Sequence, residues 1–183
     1  MVWCIRAKKK VSPAIQPAAH LTCQIQTSME QANVDSAKKY VVEFLIHGHV
    51  SVAEEIADPD LCVYTGLSRS GAIRGRAVYA ELIHAFCTAI PINSFTIEDS
   101  YSGEEFAVIR IKGVRNFQYD LWGVTATGQD FDFLDVHFLR FRDGMIFEEV
   151  ASTQNQDMEK LFAPAVLPIL RAKARGFSCN KDL

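Results

Sequence analysis

No two cysteines in this chain are spaced as C-x-x-C, no apolar run reaches the length of a membrane span, and no excess of positive charge marks a face for nucleic acid. Each absence removes a class of protein. The five cysteines, Cys4, Cys23, Cys62, Cys87 and Cys179, are odd in number and widely spaced, which suits neither a disulfide framework nor a zinc ribbon. They read as reduced thiols of a reducing compartment, with Cys62 and Cys87 packing as small hydrophobes. A spanning helix needs about 20 consecutive apolar residues, and the longest apolar stretches here are interrupted by residues such as Glu43 and His47. The net charge of -3 is opposite in sign to the field of a general nucleic-acid binder. Phosphate loops, dinucleotide fingerprints and haem motifs are missing too, so no cofactor is implied.

What the chain does have is apolar material, 49% of its 183 residues, enough for one real core. Met1–Ser28 stands apart, with Arg6, the run Lys8, Lys9 and Lys10, no acidic residue, and Pro13 and Pro17. No period of 3.6 or 2 crosses it. We read residues 1–30 as a disordered basic leader, 31–165 as the folded domain and 166–183 as a C-terminal tail. The leader lacks the apolar stretch of a secretory signal. A cytoplasmic location is expected, with an organelle as the alternative if the leader is a transit peptide.

Order is expected to begin near Asn33. Ala37, Tyr40, Val41, Phe44, Leu45 and Gly48 follow the spacing of one helix face. A short helix over Val52–Ala57 stops at Asp58-Pro59, a strand covers Leu61–Thr65, and a third helix runs from Arg76 to Ala89. The pattern then changes to a meander: Asn93–Tyr101, Glu105–Phe117, Gln129–Phe141 and Met145–Ser152, with Asp143-Gly144 as a hairpin turn. A last short helix is expected over Asp157–Phe162. Helices first and a long antiparallel meander after them predict an α+β fold. The curved sheet would wrap over the N-terminal helices and leave a hollow at its open end.

In the Gln129–Phe141 strand, alternation puts Phe131, Phe133, Asp135, His137, Leu139 and Phe141 on one face. Asp135 and His137 are then about 7 Å apart on an otherwise apolar surface. Such groups are costly to bury unless they are hydrogen-bonded, and a histidine beside a carboxylate is suited to acid–base work. A buried structural Asp–His hydrogen bond is the alternative. Leu134, Val136 and Phe138 make the opposite face apolar as well, which calls for cover there and predicts a homodimer through the sheet. Arg110 and Lys112 alternate with Ile109 and Ile111 and are expected on the outer face. His84 leaves the core face of its helix. His47 and His49, two apart at a helix end, point in different directions, so no metal site is expected.

Val34 to about Phe162 resembles the SnoaL-like branch of the NTF2-like superfamily, a cone-shaped domain. Ala57–Tyr64 is similar to the family's acidic–acidic–apolar strand, and Ile73-Arg74-Gly75-Arg76 to its G-R-E lead-in. Gly123-Val124-Thr125-Ala126-Thr127-Gly128, then Phe138 to Ile146, is similar to the family's "G-x-P-x-T-G … R-F-x-D-G-K-I". The chain departs from the pattern where the family commonly has an aspartate (here His137), a histidine (Phe117) and a tryptophan (Val150).

The resemblance implies cofactor-free cyclase, isomerase or dehydratase chemistry on a small apolar carbonyl-bearing metabolite, polyketide or terpenoid in type. On that basis His137 would be the base, Asp135 its orienting partner and Tyr64 an oxyanion donor. Tyr40, Phe44, Phe86, Trp122 and Phe133 would form the pocket wall. The alternative is a non-catalytic ligand-binding or dimerisation module. Epoxide hydrolysis would need an Asp–Arg–Asp set, for which no inward arginine is placed.

Overall fold

The computed structural model describes residues 19–66 and 71–154, with side chains from residue 28. The helix expected over Asp157–Phe162, the C-terminal tail and most of the leader lie outside these residues. Helix α1 (Ala19–Lys39) starts well ahead of Asn33 and widens over Tyr40–Ile46 into a π-helical segment. It ends at Gly48 (φ 76), whose amide bonds the Phe44 carbonyl at 2.9 Å. A Cβ on Gly48 would sit 2.9 Å from that of Cys87, so glycine is needed both for the turn and for the close approach of the third helix.

Helix α2 (Val50–Ile56) and strand β1 (Ala57–Tyr64) follow, then β2 (Ile73–Arg74), helix α3 (Arg76–Ala89) and the meander β3 (Ile92–Ser102), β4 (Phe106–Asn116), β5 (Asp130–Arg142) and β6 (Met145–Thr153). The strand order is β2-β1-β6-β5-β4-β3. All neighbours are antiparallel except β1 and β6, which run parallel, so the sheet is mixed rather than wholly antiparallel. The long path from β1 through the meander allows this pairing, because a parallel pair cannot be closed by a tight turn. Asp143 (φ 53) and Gly144 (φ 77) make the β5–β6 hairpin as expected.

The helices cover the inner sheet face. Tyr40, Val41, Phe44 and Ile46 pack with Leu61, Val63, Ile109, Ile111, Leu139 and Ile146, all buried. Arg110 and Lys112 are on the outer face, where both pair with Glu98, at 3.1 and 2.6 Å. His84 is exposed. No helix of the described residues is long and apolar enough to cross a membrane.

Irregularities in the sheet decide what reaches the interior. Phe141 pairs with Ile146 and Arg140 with Glu148, so Phe147 is an extra residue in β6. Such a bulge inverts the alternation beyond it. Ile146 faces the core, and plain alternation would send Glu148 inward and Glu149 out; instead Glu149 is fully buried. Gly113 pairs with Phe133, and a Cβ there would lie 2.8 Å from the Phe133 ring. The missing side chain lets that ring lie close against β4.

Candidate active site

Between the sheet and the helices lies a cavity of about 140 Å³. Its wall is mostly apolar, from Leu45, Ile46, Leu82 and Ile83 and the rings of Phe86, Trp122 and Phe133. Trp122 is held by a two-residue turn in which it and Gly123 both have positive φ, 51° and 85°. A bulky residue in that region is strained, and such strain gathers where a side chain must be aimed.

Two polar groups of β5 open into the cavity. Asp135 and His137 share the inner face, as the alternation predicted. Asp135 is opposite Ile111 and Thr153, and His137 is opposite Ile109 and Ala151, so small or apolar neighbours flank both. Asp135 is not the partner that orients the histidine. Glu149 is: its Oε1 meets His137 Nδ1 at 2.8 Å, and its Oε2 accepts a hydrogen bond from the Tyr40 hydroxyl at 2.9 Å. Leu139 is directly opposite Glu149, so the contact is a diagonal one within reach of long side chains. His137 Nε2 and Asp135 Oδ1 are both buried without a hydrogen-bond partner.

Burial alone would lower the His137 pKa, but the Glu149 hydrogen bond and the charges of Glu149 and Asp135 outweigh it and hold the imidazole above its ordinary value. Burial also lifts the Asp135 carboxyl, against the pull of His137, the Thr153 hydroxyl and Arg115. Both shifts are upward, and perturbed groups of this kind gather at functional sites. Asp135 therefore holds its proton more tightly folded than unfolded, and its ionisation removes stability as pH rises from the unfolded carboxyl range, about 4, through the folded value. Asp135→Asn abolishes that loss. Its thermal midpoint is expected above wild type at pH 7, with the gap closing toward pH 4. Calorimetry across that range checks it.

Arg115 also lines the cavity, although no inward arginine was expected. It is 4% exposed, and its Nη atoms donate to the carbonyls of Leu45, Ile46 and Ile90 at 3.0, 3.0 and 2.8 Å. These carbonyls end the π-helical segment and α3, where a cation meets the negative end of each helix.

The SnoaL-like polyketide cyclase family matches residues 35–160, most of the chain and all of this site. The chain belongs to that family. No curated protein matches this SnoaL-like chain by sequence. Among solved structures it is similar to a candidate SnoaL-like polyketide cyclase from a Jannaschia species (16% identity, 85% of this chain and 98% of that one, TM-score 0.65). It is also similar to IdmH, a candidate polyketide cyclase of Streptomyces antibioticus (19%, 70% and 96%, TM-score 0.57). An LEH-like epoxide hydrolase of M. tuberculosis shares the fold as well (11%, 78% and 98%, TM-score 0.54). At these identities the likeness concerns the fold.

Three of the five expected wall residues, Phe86, Trp122 and Phe133, line the cavity. Tyr40 and Phe44 are instead fully buried behind it, Tyr40 bonded to Glu149 and Phe44 packed edge-on against Tyr79. Tyr64 faces solvent at 40% exposure, because Leu61 and Val63 set the inward phase of β1 and Thr65 follows them in. It is not an oxyanion donor to this cavity. His47 and His49 cap two helices at the helix end, as expected, but they do not point apart: the chain turns between them and their rings stack 5.8 Å apart. Among the described residues, no group of three His, Cys, Asp or Glu side chains is arranged to hold a metal.

Proposed function

We propose that this protein is a cofactor-independent acid–base enzyme of the cyclase, isomerase or dehydratase type, acting on an uncharged, largely apolar carbonyl compound. One observation carries the reading: His137 Nε2 and Asp135 Oδ1, both buried and both without a partner, open into one apolar cavity. Unsatisfied buried polar atoms are rare and costly, and a ligand that meets them removes the cost. The directions of the pKa shifts reverse the roles first given to the pair. His137, protonated more readily than an ordinary histidine, suits the acid that hydrogen-bonds the carbonyl oxygen. Asp135, more basic than an ordinary carboxylate, suits the base that takes the proton from the adjacent carbon. The product of that step is an enol. Return of the proton at another carbon isomerises the substrate, and attack of the enol carbon on a second carbonyl closes a ring.

Membership of a cyclase family supports this reading. Epoxide hydrolysis, the activity in the name of one structural neighbour, is less well supported, since the Nη atoms of Arg115 are committed to backbone carbonyls. The test is exchange of the α-protons of 2-tetralone in D2O, followed by proton NMR. Wild-type protein is expected to accelerate exchange over buffer at neutral pH. Equal rates with and without protein would sink the proposal.

We further propose that a second copy of the chain covers the outer sheet face. Tyr101, Val108, Phe138, Val150 and Tyr64 pair in register across five strands, and four of them are exposed apolar or aromatic side chains. Light scattering at micromolar concentration is expected to give twice the mass of one chain, and Phe138→Lys to halve it. A monomeric wild type would refute this.

A further inference from the structure

Glu149 has no solvent exposure. A carboxylate is tolerated there only if donors meet its oxygens. The donors are the ring nitrogen of His137 and the Tyr40 hydroxyl, with Tyr79 close by. Burial, then the nearby Glu149 charge, holds both tyrosines well above the ordinary phenol pKa, so each stays a hydroxyl, and Tyr40 donates to the carboxylate. A purely structural carboxylate could be satisfied by any donors. Here one donor is the ring whose other nitrogen opens into the cavity, and the bulge at Phe147 is what turns Glu149 rather than Glu148 toward it. Glu148 stays partly exposed, 3.4 Å from Arg140.

We propose that Glu149 is the positioning residue of this site: it grips His137 by Nδ1, fixing which ring nitrogen carries the neutral-state proton and presenting Nε2 alone to the ligand. Tyr40 occupies the other carboxylate oxygen, so Oε1 is left to the imidazole. The role rests on the acid–base reading of His137, which it deepens. It makes the neutral ring protonated on Nδ1, with a bare Nε2 lone pair facing the cavity, and the charged ring a donor at Nε2.

Nitrogen-15 NMR of the His137 ring tests this without any substrate. In wild type the neutral ring is expected to carry its proton on Nδ1. Glu149→Gln is expected to lower the titration midpoint of His137 by at least about one pH unit, since it removes the charge and keeps the size. The alkaline limb of the 2-tetralone exchange profile, where His137 loses its proton, is expected to move down with it, and the rate to fall about 10–100-fold. Tyr40→Phe is expected to leave the proton on Nδ1. A neutral ring protonated on Nε2 in wild type overturns the proposal even if no variant folds, and an unchanged midpoint in folded Glu149→Gln overturns it too. If the ring behaves as expected but no exchange occurs, it is the catalytic role of His137 that is lost, not the grip of Glu149 on it.

Discussion

His137→Gln is expected to lower the exchange rate by about 10³-fold while the protein stays folded, because general acid catalysis at such a site contributes roughly 10²–10⁴-fold. The glutamine amide keeps a donor for Glu149 but cannot deliver a proton. Alanine is a poorer test. It would leave Oε1 of a fully buried carboxylate without a donor, a cost of roughly 1–3 kcal/mol that confuses lost chemistry with lost fold. Circular dichroism and the thermal midpoint of the glutamine variant establish folding, and the exchange rate then reads the chemistry. A folded His137→Gln protein with the wild-type rate would remove His137 from the mechanism.

That His137 could be named at all comes from the regularity of β5. Thirteen residues without a break put Asp135 and His137 on the apolar face, and alternation is enough to see it. The same logic reaches Arg115, which shares the phase of Ile109 and Ile111; the rule that places Arg110 and Lys112 outside places it inside. What alternation cannot show is the three carbonyls that hold it, since they come from helix ends 25 to 70 positions away. Glu149 is hidden for a different reason. One inserted residue, Phe147, reverses the phase of β6, and in the sequence Glu148 and Glu149 are indistinguishable. Tyr64 failed because its role was taken from the family resemblance rather than from the phase of Leu61 and Val63. The order of helices and strands was legible because the helix-face spacing, the Asp58-Pro59 stop and the Asp143-Gly144 turn are local signals. The parallel pairing of β1 with β6 is not local, and nothing near either strand announces it.

Arg115→Met is expected to be strongly destabilising. The guanidinium donates to carbonyls that end two helical segments and is stacked between Phe86 and Phe133, 5.2 and 5.7 Å from their centroids. Methionine fills much of the volume and keeps the ring contacts, but it strands up to three buried acceptors at roughly 1–3 kcal/mol each. A net loss of about 3–5 kcal/mol follows, which in a domain of this size lowers the midpoint by about 10 °C or more. Arg115→Lys should fall between, because an ammonium keeps the charge but cannot span both helix ends or lie flat between two rings. The cavity should suffer with the fold, since Leu45 and Ile46 supply both acceptors and wall. Urea denaturation measures the ranking of the three proteins. A loss under 1 kcal/mol for Arg115→Met would mean that water or a shifted backbone satisfies those carbonyls, and that Arg115 is free to serve a ligand instead.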